Sequence, residues 1–581
     1  MMPHSNDSTT VNGMFGPRLA TALAQQQTLH RSNVESAIRV LERQVHAGAR
    51  DPKIYVELAG YYASLGNHDA ALDTLMIGVR TFPLVGEIHY ALLRRLHKCG
   101  LDEEALAAGE RACELVPDDF ALRLEYRLYL PKVYESEQDI VGWQRRFAQG
   151  LATCVAECHL QTVEEASSAA HGLAHFVPFY LAYQGFDDLA LSRAYGEFVC
   201  SVMSAAYPQW SKPAIGYALR ERSKPRIGYV SAYFRRHTVG EYFLGWLTQR
   251  HRPLYEAHCY YVGDSHDTVT EQYRRASDAF FHSPDLETTC KMIQHDQLDM
   301  LVFTDVGMDP VSSQIAALRL APVQCVTYGH PVTTGLPTVG YFISGELMEP
   351  PNAQAHYTEK LVTLPNLGIR YARPVIPRAL LTKTRSDFGL PDDAVVYFCC
   401  QSLFKFLPQY DHLFADIALA VRNARFLFIA PNDRLGRKFE ERLARAFSQV
   451  HLEFEDFCKF LPWQNTFDYW NLHFISDVFL DTVGWSGGRT TLDAIACKLP
   501  IVTLPGQCLR QRQSGAMLGL LGVDETIAKS EAEYVSVAVR LGKEPSWRRA
   551  VRAKMQSAQH LVFSDDSSVR ALEAFFSRAL R

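Results

Sequence analysis

A chain of 581 residues is too long for one hydrophobic core, so roughly three to four domains are expected. Apolar residues make up 47% of it, enough to fill each core, and a formal net charge of −5 gives no basic footprint for nucleic acid. No run of roughly eighteen apolar residues marks a membrane span, and the polar start Met1 to Asn12 lacks a signal-peptide core, so the expected compartment is the cytoplasm. The thirteen cysteines are scattered, mostly in apolar runs such as Phe398-Cys-Cys400, without paired CxxC motifs. They read as reduced core residues, and no metal is expected.

Residues 1–30 are expected to be flexible and residues 31–205 to form a helical-repeat domain. Ala37, Ala71 and Ala105 recur every 34 residues, accompanied by Ile38, Leu72 and Leu106. Gly66 and Gly100, and Pro83 and Pro117, keep the same spacing. Small residues at helix crossings, a Gly between paired helices and a Pro after the second are what stacked helical hairpins require. The pattern resembles tetratricopeptide repeats, with two clear units and a partial one before them. Such a surface serves to hold a protein partner, or only to bury its own core.

After Lys224-Pro225 the texture changes to short apolar runs alternating with helical patterns. Arg226–Val230, His258–Val262, Met300–Phe303 and Val323–Val326 read as parallel strands of a first lobe, residues 224–380. A proline-rich, irregular section runs from Glu349 to Pro377. The alternation restarts with Val395–Phe398, Arg425–Ile429, Val478–Leu480 and Pro500–Thr503, giving a second lobe, residues 381–581. The expected architecture is therefore two Rossmann-like α/β lobes behind an all-α repeat domain. Ligands of such sheets bind beyond the carboxyl ends of the strands, and most candidate motifs fall there.

His237 follows the first strand of the first lobe and is a candidate base or substrate-positioning group. Gly329-His330-Pro331-Val-Thr333-Thr334-Gly335 follows a later strand and reads either as a small polar ligand loop or as a rigid turn. Gln401-Ser402-Leu-Phe-Lys405 follows the first strand of the second lobe and brings a point charge suited to a diphosphate. Asp481-Thr-Val-Gly-Trp-Ser-Gly487-Gly488-Arg489-Thr490-Thr491-Leu-Asp493 leaves a strand, crosses a Gly/Ser turn and enters a helix. Its glycines allow close backbone approach, while Arg489, Thr490 and Thr491 set a cation, hydroxyls and N–H groups at the positive helix end. Asp493, a turn further on, is placed to accept from a ribose hydroxyl. The bland reading is a strand-to-helix turn with a capping threonine.

Together these motifs resemble glycosyltransferase family 41, the protein O-linked N-acetylglucosamine transferases. Ala321-Pro-Val-Gln324 with Gly329–Gly335, Tyr357-Thr-Glu-Lys360 with Leu364-Pro365, and Pro505-Gly506 with Arg512 follow the family order over residues 224–560. Lys405 falls on the family lysine that contacts the nucleotide diphosphate, Asp481-Thr482, Thr490 and Asp493 on its signature, and His237 on the histidine near sugar and acceptor. The resemblance implies a GT-B fold and an inverting, metal-independent transfer from a UDP-sugar co-substrate to a protein side chain, with no cofactor. It also implies an acceptor protein held near the repeats and the inter-lobe cleft.

Three departures stand out. The family's Gly-His-Thr-Thr is Gly487-Gly-Arg-Thr-Thr491 here, so a histidine is replaced and a cation added, and a histidine of the preceding helix corresponds to Tyr469 or to nearby Phe467. His330 in place of a family tyrosine resembles the bacterial N-glucosyltransferase branch, which modifies asparagine. The sugar is thus GlcNAc or glucose, and the acceptor Ser/Thr or Asn. The rivals are a nucleotide-sugar enzyme acting on a small molecule or glycan, and a non-catalytic repeat adaptor.

Overall fold

The computed structural model describes residues 17–212, 223–430 and 433–581. The chain divides into two compact units, Met1–Leu122 and Arg123–Arg581. Of the flexible start expected over residues 1–30, residues 1–16 lie outside the described residues, and from Pro17 the chain is helical.

In the first unit, helices Pro52–Ser64 and His68–Thr81 form one hairpin, and Gly86–Cys99 and Asp102–Leu115 the next. Asp51 and Asn67 cap their helices through side-chain oxygens, the former with Pro52 at the first helical position. Gly66 and Gly100 turn each hairpin at φ +77° and +74°, a region that costs other residues energy. Ala71 and Ala105 are fully buried at the crossings. A Cβ on Gly78 would stand 2.6 Å from Ile88 Cδ1, which explains the demand for small residues there.

The second unit opens with helices Glu137–Glu157, Val163–Leu173 and Leu189–Ala206 and the turn Phe179–Gln184. The helical stretch expected as one region over 31–205 is thus shared between the two units. The later helices belong with the sheets because they pack on them. Gln314 Nε2 donates to the Ala170 carbonyl at 2.7 Å, and a Cβ on Gly196 would lie 2.3 Å from the Gly335 carbonyl oxygen.

Two parallel sheets follow. The first comprises β1 (Arg226–Ser231), β2 (Glu256–Tyr261), β3 (Ala279–His282), β4 (Met300–Phe303), β5 (Val323–Thr327), β6 (Tyr341–Gly345) and β7 (Lys360–Leu364), in the order β3-β2-β1-β4-β5-β6-β7. The second comprises β8 (Val395–Cys399), β9 (Ala424–Ile429), β10 (Cys458–Leu461), β11 (Val478–Leu480) and β12 (Ile501–Val502), in the order β10-β9-β8-β11-β12. Both orders reverse beside their first strand, between β1 and β4 and between β8 and β11. That switch point is where open sheets of this kind leave a crevice. The fold is the expected pair of Rossmann-like lobes with a helical N-terminal part.

All eight expected strands form. Four more appear, among them β7 inside the Glu349–Pro377 section read as irregular; it is an edge strand with one buried residue, Leu364, so it lacks an apolar run. The C-terminal helix Ser567–Ala579, expected within the second lobe, packs instead on the first. Phe575 and Phe576 meet Tyr341 and Tyr255 edge-on, and Glu573 accepts from the His251 N–H at 2.6 Å. Among the described residues no helix is long and apolar enough to cross a membrane.

Candidate active site

The site grows from three strand ends. After β8 the chain turns through Gln401 to Lys405, and the Lys405 ammonium donates to Gln401 Oε1 at 3.0 Å. Gln401, buried, donates through Nε2 to Thr490 Oγ1 at 2.7 Å. This relay joins two sequence motifs 85 residues apart at the N-terminus of helix Arg489–Cys497. Lys405 is half-buried, and dehydration of its ammonium pulls its pKa down to about 8 against the opposing charge of Asp481.

The turn after β11 is held by Asp481, which is buried and accepts from the Gly487 N–H at 2.6 Å, Ser486 Oγ at 2.8 Å and Thr503 Oγ1 at 2.7 Å. Asp481 therefore shapes the loop. Gly487 is required by closeness: a Cβ there would stand 2.5 Å from Gln401 Nε2 and 2.7 Å from Thr490 Oγ1. Thr491 bonds Ser514 Oγ at 2.7 Å and so braces the helix, leaving Thr490 as the hydroxyl at the relay.

Asp493 sits one turn into that helix, buried, with Tyr469 OH donating to Oδ2 at 3.3 Å and Oδ1 without a partner among the described residues. Burial raises its pKa to about 7; Arg489 opposes the rise and Glu241 adds to it. Tyr469 is thus a neighbour of Asp493.

The first lobe closes the site through helix Thr238–Thr248. His237 caps it, its Nδ1 accepting from the Val239 N–H at 3.3 Å, and its ring stacks on Tyr233 at 4.3 Å. Burial, then Arg235 and Arg489, push His237 down to about 4, so the imidazole is neutral at pH 7. With Nδ1 accepting, the neutral ring carries its proton on Nε2.

One turn on, Glu241 pairs with Arg489 across the cleft at 2.9 Å and accepts from Tyr371 OH at 3.3 Å. Tyr242 explains why position 488 is glycine: a Cβ there would lie 2.4 Å from its hydroxyl. That hydroxyl, buried, has no partner among the described residues. Sequence reasoning passed over Glu241 and Tyr242, although a position four residues after His237 faces the same way on a helix.

The Gly329–Gly335 loop makes no hydrogen bond to this relay, but its Val332 packs in one apolar cluster with Trp485 and Phe404 beside Lys405. The Thr333 hydroxyl donates to Glu359 Oε2 at 2.6 Å, the Thr334 N–H donates to Oε1 at 2.8 Å and its hydroxyl bonds the same oxygen. Those hydroxyls hold the loop. Gly335, at φ +68°, lies against the Ser192 carbonyl. His330 is buried under Phe179, stacked at 5.3 Å, and burial lowers it to about 3. Ser402 is exposed, and only its carbonyl takes part, accepting from the Lys405 N–H at 3.0 Å. The turn Phe179–Gln184 spans both lobes: Tyr183 stacks on Trp485 at 3.8 Å while Phe179 covers His330.

The model of "Glycosyl transferase family 41" matches residues 209–368 and 372–567, well over half of the chain. The chain belongs to glycosyltransferase family 41. Within it, this member is 27% identical over 328 residues to an Arabidopsis thaliana protein named probable UDP-N-acetylglucosamine–peptide N-acetylglucosaminyltransferase SPINDLY, covering 54% of this chain and 35% of that protein. Against a second Arabidopsis protein of that description, SEC, it is 23% identical over 338 residues, 57% of this chain and 34% of the other. The chain thus spans about a third of the length of the curated relatives it matches. A mutant Thermobaculum terrenum O-GlcNAc transferase superposes with a TM-score of 0.69 and 22% identity over 100% of this chain and 99% of that one, a likeness of fold.

Proposed function

We propose that this family 41 member transfers a sugar from a UDP-sugar to protein side chains, with inversion and without a metal. N-acetylglucosamine is the leading donor sugar and glucose the alternative; Ser/Thr hydroxyls are the favoured acceptors and asparagine the alternative. The observation that carries the reading is the Lys405–Gln401–Thr490 relay at the N-terminus of helix Arg489–Cys497. Among the described residues Lys405 has no carboxylate in contact, so its charge is uncommitted. When an acceptor oxygen attacks the anomeric carbon, the bond to the diphosphate oxygen breaks and negative charge grows on the departing group. Lys405, Thr490 and the free N–H groups of the helix are aimed where that charge develops. Asp493 Oδ1 is left to accept from the ribose.

His237 acts here as a donor, not a base, because its proton is on Nε2; it orients the sugar or acceptor, and the acceptor's proton leaves on an oxygen of the departing diphosphate. Cysteines scattered through apolar runs suit a reducing, cytoplasmic setting.

The test incubates the full chain with UDP-GlcNAc, UDP-glucose or GDP-fucose, a cell-extract protein pool and EDTA, and reads intact protein mass. An N-acetylhexosamine increment from UDP-GlcNAc is expected, removable by mild alkali if the link is to Ser/Thr. Free UDP without modified protein would move the acceptor to a small molecule or glycan. Preference for the GDP donor would remove the UDP assignment, and absence of any nucleotide binding would leave a repeat adaptor.

A further inference from the structure

A second concave site stands at the other end of helix Arg489–Cys497. It encloses about 620 Å³ and is lined by Arg373 and Arg378 from the segment joining β7 to β8, by Phe474, and by Lys498 and Arg552. That volume suits a small ligand. No Asp or Glu lines it. Among the described residues none of the four cations makes an ion pair or a side-chain hydrogen bond. The nearest carboxylate acting on Arg552, Asp477, is already held by Arg385 at 2.8 Å and Arg548 at 3.1 Å.

The Arg378 guanidinium lies over the Phe474 ring at 3.8 Å, which fixes its planar fork of donors before any ligand arrives. Partial dehydration of the exposed Arg552 and the neighbouring Arg548 hold its pKa below the usual guanidinium value, with Asp477 opposing. The helix C-terminus at Lys498 carries only about half a negative charge, which offsets a fraction of the four positive ones. Cations gathered round one concavity without counter-charge repel one another, and an anion relieves that repulsion.

We propose that this cavity binds a small polyphosphate anion at a site separate from the Lys405 relay. The two sites occupy opposite ends of a nine-residue helix, roughly 12 Å apart. A half-open pocket of small-ligand volume on a chain of net charge −5 fits a compact anion rather than an extended nucleic acid, which needs a basic stripe. Because Arg373 and Arg378 lie on the segment between the two sheets and Arg552 on helix Pro545–Ala558, one anion would tie that segment to the second lobe.

The test titrates inorganic tripolyphosphate into the full chain by calorimetry at about 0.15 M salt, where only close charge pairing survives screening. Binding is expected to persist in Lys405→Ala and to weaken by about tenfold or more in Arg378→Gln/Arg552→Gln, both exposed positions whose change leaves the thermal melt in place. The single variant Arg373→Gln should weaken it less. Loss in Lys405→Ala with retention in the double variant would assign the anion to the relay and overturn the proposal. So would no binding to the unaltered chain, or binding of a glutamate decapeptide in preference to tripolyphosphate.

Discussion

At the scale of residues, the site rests on a few atoms whose ionisation can be read in rate. Lys405→Ala leaves the charge of the departing diphosphate unneutralised, and turnover is expected to fall about 10²–10³-fold with the fold intact; single-turnover rates would check it, and full activity would remove the lysine from the mechanism. The pH profile is a second expectation. Asp493, raised to about 7, is neutral below that value; Lys405, lowered to about 8, is neutral above that one. In the free enzyme kcat/KM should therefore rise through about pH 7 as the carboxylate gains the charge that accepts a ribose hydroxyl strongly, and fall above about 8 as the ammonium loses its proton. His237, near 4, stays neutral throughout. Asp493→Asn should abolish the acid limb alone, and a wild-type profile flat across both values would disprove the assignment. Thr490 and Asp493 were legible in the sequence because a Gly-rich strand-to-helix turn announces itself, whereas Lys405 was offered only by its place after an apolar strand and by the family resemblance. Glu241 and Tyr242 were not, since an acidic residue and a tyrosine on a helix have no signature until the facing lobe brings Arg489 and Gly488 to them.

At the scale of elements, most strands buried on both faces read directly from the sequence, with β6 (Tyr341–Gly345) the interior strand that was missed. Met300–Phe303 and Val478–Leu480 are buried at every position, so apolar runs betray them. Edge strands do not: Ala279–His282 is only half-buried and Lys360–Leu364 mostly exposed or half-buried, so neither shows the run. Nor does sequence show which charges are internal. Arg442 lies 3% exposed on helix Asp433–Gln449, bonding Asp411 at 2.6 and 2.9 Å, the Phe406 carbonyl at 2.8 Å and the Tyr134 carbonyl at 2.9 Å. It joins the helical segment to the second lobe just behind the Lys405 turn. Arg442→Ala strands Asp411, itself 5% exposed, as an unpaired buried charge. A loss of about 3–5 kcal/mol in chemical denaturation is expected. A change under about 1 kcal/mol would mean that water replaces the guanidinium.

At the scale of the whole molecule, the restart of strand alternation near Val395 made two lobes legible, but the division of the helical stretch was invisible. Helical periodicity is the same whether a helix stacks on its sequence neighbour or on a distant sheet. Only the partners differ, and those are Gln314 for the Ala170 carbonyl and Trp485 for Tyr183. The consequence is a pair of truncations with opposite outcomes. Removing residues 1–122 takes away one compact unit and leaves the Lys405 relay, so the remainder is expected to melt cooperatively and bind UDP, losing only the acceptors that the repeats present. Removing residues 1–205 also strips Tyr183 from Trp485, Asp188 from its 3.1 Å ion pair with buried Arg510, and the Tyr134 carbonyl from Arg442. Each exposes a large ring or orphans a buried charge beside the site, so this shorter chain is expected to aggregate or to lose UDP affinity outright. Thermal melts and UDP titrations of the two truncations decide the matter: equal behaviour would mean that helices 137–206 are an independent appendage and not a wall of the enzyme.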